Sequence, residues 1–124
     1  MKIPVTTNTE RFYLQLVKLL ASFVTPFNKL DPVSKKVLAE ILYQNYTLRS
    51  IKQKNREIII FSSKNRKTTR EKLNLTESAY NVYLSELRKT GIITKDNELP
   101  LFLAKIIPQD EFEFTVLFKL KNDE

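Results

Sequence analysis

Apolar residues in the first half of the chain recur at the three- and four-residue intervals of amphipathic helices. One such pattern predicts a helix from about residue 9 to residue 24, preceded by a capping-box spacing between Thr7 and Glu10 and ended by Pro26. We expect this helix to be packed through its apolar stripe, which consists of Phe12, Leu16, Leu19, Leu20 and Phe23.

A second helix is predicted to begin in the stretch "LDPVSKK". Asp31 is a good N-cap residue, and Pro32 suits the first helical position because its missing N–H has no partner there in any helix. The two helices are expected to pack against each other. The buried face of the second consists of Val33, Val37, Leu38, Ile41, Leu42 and Tyr46.

The stretch "SKNRKTTREKLNLTESAYNVYLSELRKTGIIT" predicts two more helices joined by a tight turn. The first runs from about residue 65 to residue 73, and the second from about residue 77 to residue 90 with Thr76 as its cap. Asn74 lies where the chain must bend, and asparagine tolerates the left-handed conformation better than other residues with a side chain. Gly91, the only glycine of the chain, stands where the second helix needs a left-handed residue at its end.

Three apolar segments have the composition of strands. "EIIIFS" is typical of a short buried strand, although a helical turn is possible because four apolar residues cannot decide. "LPLFLAKII" and "FEFTVLFKL" are separated by the turn signal "PQDE", which predicts a β-hairpin over residues 96 to 121. In its second strand the buried face would be Phe112, Phe114, Val116, Phe118 and Leu120.

These elements predict a single α+β domain over residues 1 to 124. Its parts are N-terminal helices over 1–50, the paired helices and the start of a strand over 58–95, and the β-hairpin over 96–121. Gly91 would connect the last helix directly to that first strand, which begins at Ile92 and Ile93.

The chain carries a net charge of +7, and all of it falls in one window. Residues 49 to 72 contain nine basic and two acidic residues, and the remaining residues sum to zero. A basic segment on a neutral body is the electrostatic pattern of a protein that binds a polyanion. The alternative is a solvated lysine-rich loop.

Missing residue types exclude most enzyme classes. The chain has no cysteine and no histidine, and one glycine cannot form a phosphate-binding loop. The acidic groups "DNE" and "QDEFE" fall in predicted turns, where no spacing demands a metal. We therefore expect a protein without catalytic residues, cofactor or metal.

Nothing in the sequence indicates a membrane protein, because no apolar run approaches the ~20 residues of a membrane span. The N-terminal residues "MKIPVTTNTE" lack the apolar core of a signal peptide. The expected location is the cytoplasm, or the host cytoplasm or virion if the protein is phage-encoded.

Residues 73 to 94 resemble the turn, recognition helix and first wing strand of winged helix-turn-helix proteins. Leu73, Asn74, Leu75 and Thr76 stand at the turn positions, and Gly91 lies at the family's usual distance from them. The inward positions of the helix are Leu84 and Leu87. Before the turn the chain departs from the family pattern, since Thr69 replaces an apolar residue and Arg70 a small one.

The resemblance implies a helix whose outer side chains meet base edges, with the preceding basic segment on phosphates. Asn81 could pair with adenine, and Ser78 with a base or a phosphate. The alternative for both is plain solvated surface. The residues expected to contact DNA are Lys64, Arg66, Lys67, Arg70, Lys72, Thr76, Ser78, Asn81, Ser85 and Arg88.

The leading functional hypothesis is a non-enzymatic DNA-binding protein, a small transcriptional or phage regulator. The alternative is a phage structural, packaging or assembly protein that uses the same fold for protein–protein contacts. The candidate partners are double-stranded DNA, a second copy of the chain, and phage or polymerase proteins.

Overall fold

The computed structural model describes residues 2–109 and 111–121, and these residues form helices and turns without any β-strand. The predicted α+β class is therefore wrong, and the described chain is all-helical. A single 3₁₀ turn, Phe27–Lys29, links the first two helices. The α-helices are α1 (Thr9–Phe23), α2 (Pro32–Thr47), α3 (Gln53–Ile60), α4 (Ser63–Lys72), α5 (Glu77–Lys89) and α6 (Leu101–Ala104).

The first two helices lie where the apolar periodicity placed them. Asp31 caps α2 by accepting a 2.7 Å hydrogen bond from the backbone N–H of Ser34, as predicted. The cap of α1 is Asn8, whose side chain accepts from the N–H of Arg11, so the predicted capping box at Thr7 is wrong by one residue. Phe23 was expected in the buried stripe but is exposed.

The first four residues of the segment "EIIIFS" form the end of α3, Phe61 is the C-cap of that helix, and Ser62 caps α4. Ile60 and Phe61 enter the core, while Ile58 and Ile59 face outward. A strand needs a neighbouring strand for its backbone groups, and the described chain offers none. The polar residues before the apolar run extend it instead into a helix of eight residues.

The predicted C-terminal β-hairpin is also absent from the described residues. Its first segment forms the short helix α6 after Pro100, and Leu103 inserts fully into the core. Proline supports a helix start, and the following Leu-Phe-Leu-Ala contains good helix formers. Residues 111–121 consequently have no strand beside them, and their side chains are exposed.

The hydrophobic core is one connected cluster centred on α2. Helix α1 packs along α2, and α5 packs on α2 as well. The largest fully buried side chains include Tyr13 of α1, Tyr80 of α5, and Leu38 and Ile41 of α2. Burial raises the pKa of both tyrosines to about 12.

Helix α4 contributes no apolar side chain to this core. Its one buried residue is Thr69, whose hydroxyl accepts a 2.6 Å hydrogen bond from Gln44 of α2. Asn65, one turn earlier, donates 2.8 Å and 2.9 Å hydrogen bonds to the side chain of Gln44 and to the carbonyl of Ile60. The most basic helix of the protein is thus attached mainly through polar contacts.

Candidate nucleic-acid interface

Helices α4 and α5 are joined by a four-residue turn with fixed geometry. Asn74 adopts the predicted left-handed conformation, with φ of 57°. The N–H of Leu75 donates to the carbonyl of Arg70 at 2.8 Å, and that of Asn74 to the carbonyl of Glu71 at 3.1 Å. These two hydrogen bonds are those of a Schellman helix end.

Thr76 begins α5 as predicted. Its hydroxyl accepts a 3.1 Å hydrogen bond from the N–H of Ala79. The same hydroxyl keeps its own hydrogen free to donate, because capping uses only an oxygen lone pair. Thr76 therefore fixes the start of α5 and remains exposed beside it.

Gly91 ends α5 in the left-handed conformation, with φ of 80°. The chain then does not enter a wing strand. Ile92 and Ile93 are buried in the core, and the N–H of Ile93 donates to the carbonyl of Leu87. Residues 94–98 form a compact loop, in which the N–H of Thr94 donates to the carbonyl of Glu98.

One side of α5 is exposed along its N-terminal half. Ser78, Asn81 and Val82 are on the exposed side, and Ser85 is half-buried at its end. The opposite side is fixed in the core by Tyr80, Leu84 and Leu87. The side chains that were predicted to meet base edges are accordingly accessible.

The exposed side of α4 is cationic. Lys64 and Lys67 are exposed, and Arg70 is half-buried. No carboxylate lies within ion-pair distance of these three side chains in the described residues. Their charge is therefore not neutralised within this part of the fold.

Arg66 points toward α5, where its charge acts on Tyr80 and Arg88. Its Nε–H is buried and has no hydrogen-bond partner among the described residues. An unpaired buried donor costs about 1–3 kcal/mol. One donor of the Arg66 guanidinium is thus unsatisfied within the described fold.

Two of the predicted contact residues are held by the protein itself. Lys72 pairs with Glu40 at 3.0 Å and with Glu10 at 3.3 Å, tying α4 to α2 and α1. Burial alone would lower the pKa of Lys72, but hydrogen bonds to these two carboxylates and their charges raise it overall. The ammonium of Lys72 is therefore neutralised by carboxylates of the protein itself.

The second is Arg88, whose guanidinium donates to the side-chain oxygen of Asn97 from both Nε and Nη2, at 3.0 Å and 2.6 Å. Burial lowers the pKa of Arg88, and the neighbouring charge of Arg66 lowers it further. This pair holds the loop after α5. Both donors are thereby used within the protein.

The predicted contact residues did not include the N-terminal part of the basic window, residues 49–56. Arg56 donates to the backbone carbonyls of Ile51 and Arg49, so it shapes the entry to α3. Lys52 and Lys54 are exposed there and add to the cationic surface. Their position in the basic window could have placed these two lysines among the predicted contact residues.

The described residues show no helix with the length and apolar character needed to cross a membrane. They also show no group of three or more acidic side chains arranged to hold a metal ion. No family model, no curated protein and no solved structure matches the chain.

Proposed function

We propose that the protein is a non-enzymatic binder of double-stranded DNA. In this proposal α4, the turn and α5 act as a helix-turn-helix, with the exposed side of α5 in the major groove. Lys64, Lys67 and Arg70 contact phosphates. The role would be that of a small regulator, acting in a host cytoplasm or a phage particle.

The observation that supports the proposal is that the turn between α4 and α5 joins two exposed surfaces, the cationic side of α4 and the polar side of α5. Helix α5 presents Ser78 and Asn81 to solvent. Helix α4 presents Lys64 and Lys67, which pair with no carboxylate of the described chain. Phosphate contacts set the position of a protein on DNA, and groove contacts read sequence. The two helices supply one surface for each task.

Sequence discrimination should be modest. The one arginine of α5, Arg88, is already hydrogen-bonded to Asn97. This leaves Asn81, which can bond to adenine through two hydrogen bonds, and Ser78, which reads bases less specifically. Most of the affinity would come from release of counterions by the basic residues.

Fluorescence anisotropy with labelled duplex DNA over a salt series tests the phosphate contacts. Single replacements of Lys64, Lys67 and Arg70 by Ala should each reduce the magnitude of the log–log salt slope by roughly one. Lys18→Ala is the matched control, since Lys18 is an exposed lysine on α1. A flat salt response of the wild type, or equal slopes for all variants, would contradict the proposal.

Selection of preferred duplexes from a random pool tests the role of α5. Asn81→Ala should reduce the discrimination between base pairs at one position of the selected site by about 1–3 kcal/mol. The salt slope of binding should stay unchanged. Duplex RNA should bind more weakly, because its deep and narrow major groove does not admit a helix. If the wild type and the variant select the same sequences with the same preference, the proposed contact between α5 and the base pairs is wrong.

A further inference from the structure

Residues 111–121 are an exposed segment, rich in apolar residues, with no strand beside it in the described chain. Phe118 is 81% exposed and Leu120 is 97% exposed. Among the described residues, the backbone groups of this segment form no hydrogen bond with other backbone groups. Apart from Leu117, the sequence "EFEFTVLFKLK" nevertheless alternates apolar and polar residues as a half-buried strand does.

The segment is complementary to itself when two copies run antiparallel about Val116. Phe112 then faces Leu120 of the second copy, and Phe114 faces Phe118. The opposite face of the same ribbon brings unlike charges together. Its charge pairs are Glu113 with Lys119 and Glu111 with Lys121, each formed twice because of the two-fold symmetry.

Other arrangements have less of this complementarity, since even a two-residue shift of the antiparallel register, which keeps both faces, retains only two of the four unlike charge pairs. A parallel pair would place Glu113 beside Glu113 and Lys119 beside Lys119, and like charges directly opposite are destabilising. A shift of the antiparallel register by one residue would put apolar side chains opposite charged ones. The order of charges along the segment therefore favours one partner, one direction and one register.

A two-stranded ribbon is marginal by itself and needs cover for its apolar face. The structure shows where that cover lies. Phe112 packs edge-on against Phe12 of α1, with ring centroids 5.2 Å apart. The 3.1 Å ion pair between Lys2 and Glu113 is almost fully exposed, so its loss on pairing would cost little.

We propose that residues 111–121 form an antiparallel two-stranded ribbon with the same residues of a second copy of this chain, on a two-fold axis at Val116. The ribbon would cover its apolar face with α1 of both protomers. This proposal does not depend on DNA binding. If both hold, the same axis would relate two copies of α5, as in proteins that read palindromic sites.

Charge exchange tests the register. The wild type should sediment as a dimer of twice 14.6 kDa at concentrations of tens of micromolar. A variant with Glu111→Lys and Glu113→Lys, and a second with Lys119→Glu and Lys121→Glu, should each raise the dimer dissociation constant about tenfold or more at low salt. Far-ultraviolet circular dichroism should show the same helix content in both variants, because the substitutions lie outside the helical core.

An equimolar mixture of the two variants is the decisive sample. All four charge pairs are unlike again in the mixed dimer, so dimerisation should return to the wild-type level. Failure of the mixture to dimerise would overturn the proposal. Dimers that persist equally in each variant alone would also overturn it, because another surface would then be responsible.

Cross-linking reports the axis directly, since the chain has no cysteine of its own. Val116→Cys should form an intermolecular disulfide under mild oxidation, because directly opposed residues have Cα atoms at a distance that a disulfide can bridge. Lys119→Cys is the control, as its two copies would stand about 20 Å apart along the ribbon. Equal cross-linking at the two positions, a wild type that stays monomeric, or open-ended polymers would refute the two-fold ribbon.

Discussion

Gln44 on α2 donates a 2.6 Å hydrogen bond to the hydroxyl of Thr69 on α4. The same amide group of Gln44 accepts from Asn65 through its oxygen, so one side chain holds two turns of α4. Thr69 is the one buried residue of α4. A buried hydrogen bond thus takes the place of apolar packing between these helices.

Replacement of Thr69 by Val should destabilise the protein by about 1 to 2 kcal/mol, because it leaves the amide N–H of Gln44 without its acceptor. Equilibrium unfolding in urea measures the change. Thr68→Val is the matched control and should stay within about 0.5 kcal/mol of the wild type, since Thr68 is exposed. Equal losses of stability at both positions would show that the hydrogen bond from Gln44 to Thr69 does not stabilise the fold.

Replacement of Gly91 by Ala should cost about 1 to 2 kcal/mol through backbone strain alone. A Cβ at Gly91 would meet no heavy atom within 4 Å, so no steric clash adds to this cost. Gly91→Asn should cost less, because asparagine tolerates a positive φ. Urea unfolding of the two variants provides the measurement, and an asparagine variant less stable than the alanine variant would contradict this account.

Lys72→Ala should lower the stability of the protein without changing the salt slope of DNA binding, and Lys67→Ala should do the reverse. Loss of Lys72 leaves the mostly buried Glu40 without its cation, which should cost about 1 kcal/mol of stability after allowance for the partial exposure of Lys72. Loss of the exposed Lys67 should leave stability unchanged and reduce the salt slope of DNA binding by roughly one. Urea unfolding and anisotropy on the same two preparations separate the effects, and a reduced slope for Lys72→Ala would return that residue to the interface.

Stability should fall between pH 10 and about 12. Burial raises the pKa of Tyr13 and Tyr80 to about 12 in the folded chain, while an exposed tyrosine ionises near pH 10. Because the folded pKa is the higher one, the stabilisation is complete below pH 10 and is lost as pH rises toward 12. The loss approaches about 1.4 kcal/mol per pH unit for each tyrosine within that interval.

Ultraviolet absorbance of phenolate gives the titration, and urea unfolding at several pH values gives the stability. Tyr80→Phe should flatten the alkaline decrease without removing a hydrogen bond seen in the structure. Tyr13→Phe is less clean, because the hydroxyl of Tyr13 donates to the carbonyl of Ile106 at 2.9 Å. Ionisation of all five tyrosines together near pH 10 in the folded protein would contradict the prediction.

Much of the local structure was predictable because its causes are local. Asp31 and Thr76 cap their helices through hydrogen bonds to residues three positions later. Asn74 and Gly91 end helices because their own backbone preferences permit a positive φ. Such signals need no knowledge of distant residues.

The choice between strand and helix was not local in the segments 57–62 and 99–107. Their composition suited strands, but a strand is stable only where a neighbour accepts its backbone hydrogen bonds. A helix satisfies those groups within itself. Since the described part of the fold provides no neighbouring strand, α3 and α6 form instead.

The sequence by itself determined where the charge lies and where the central helices begin and end, since both follow from residue types and short spacings. Only the tertiary structure decided which cations remain available. Lys72 meets carboxylates 62 and 32 residues earlier in the chain, at Glu10 and Glu40, and Arg88 meets Asn97 across a folded loop. Folding sets these partners through the packing of whole helices, and no pattern along the chain encodes them.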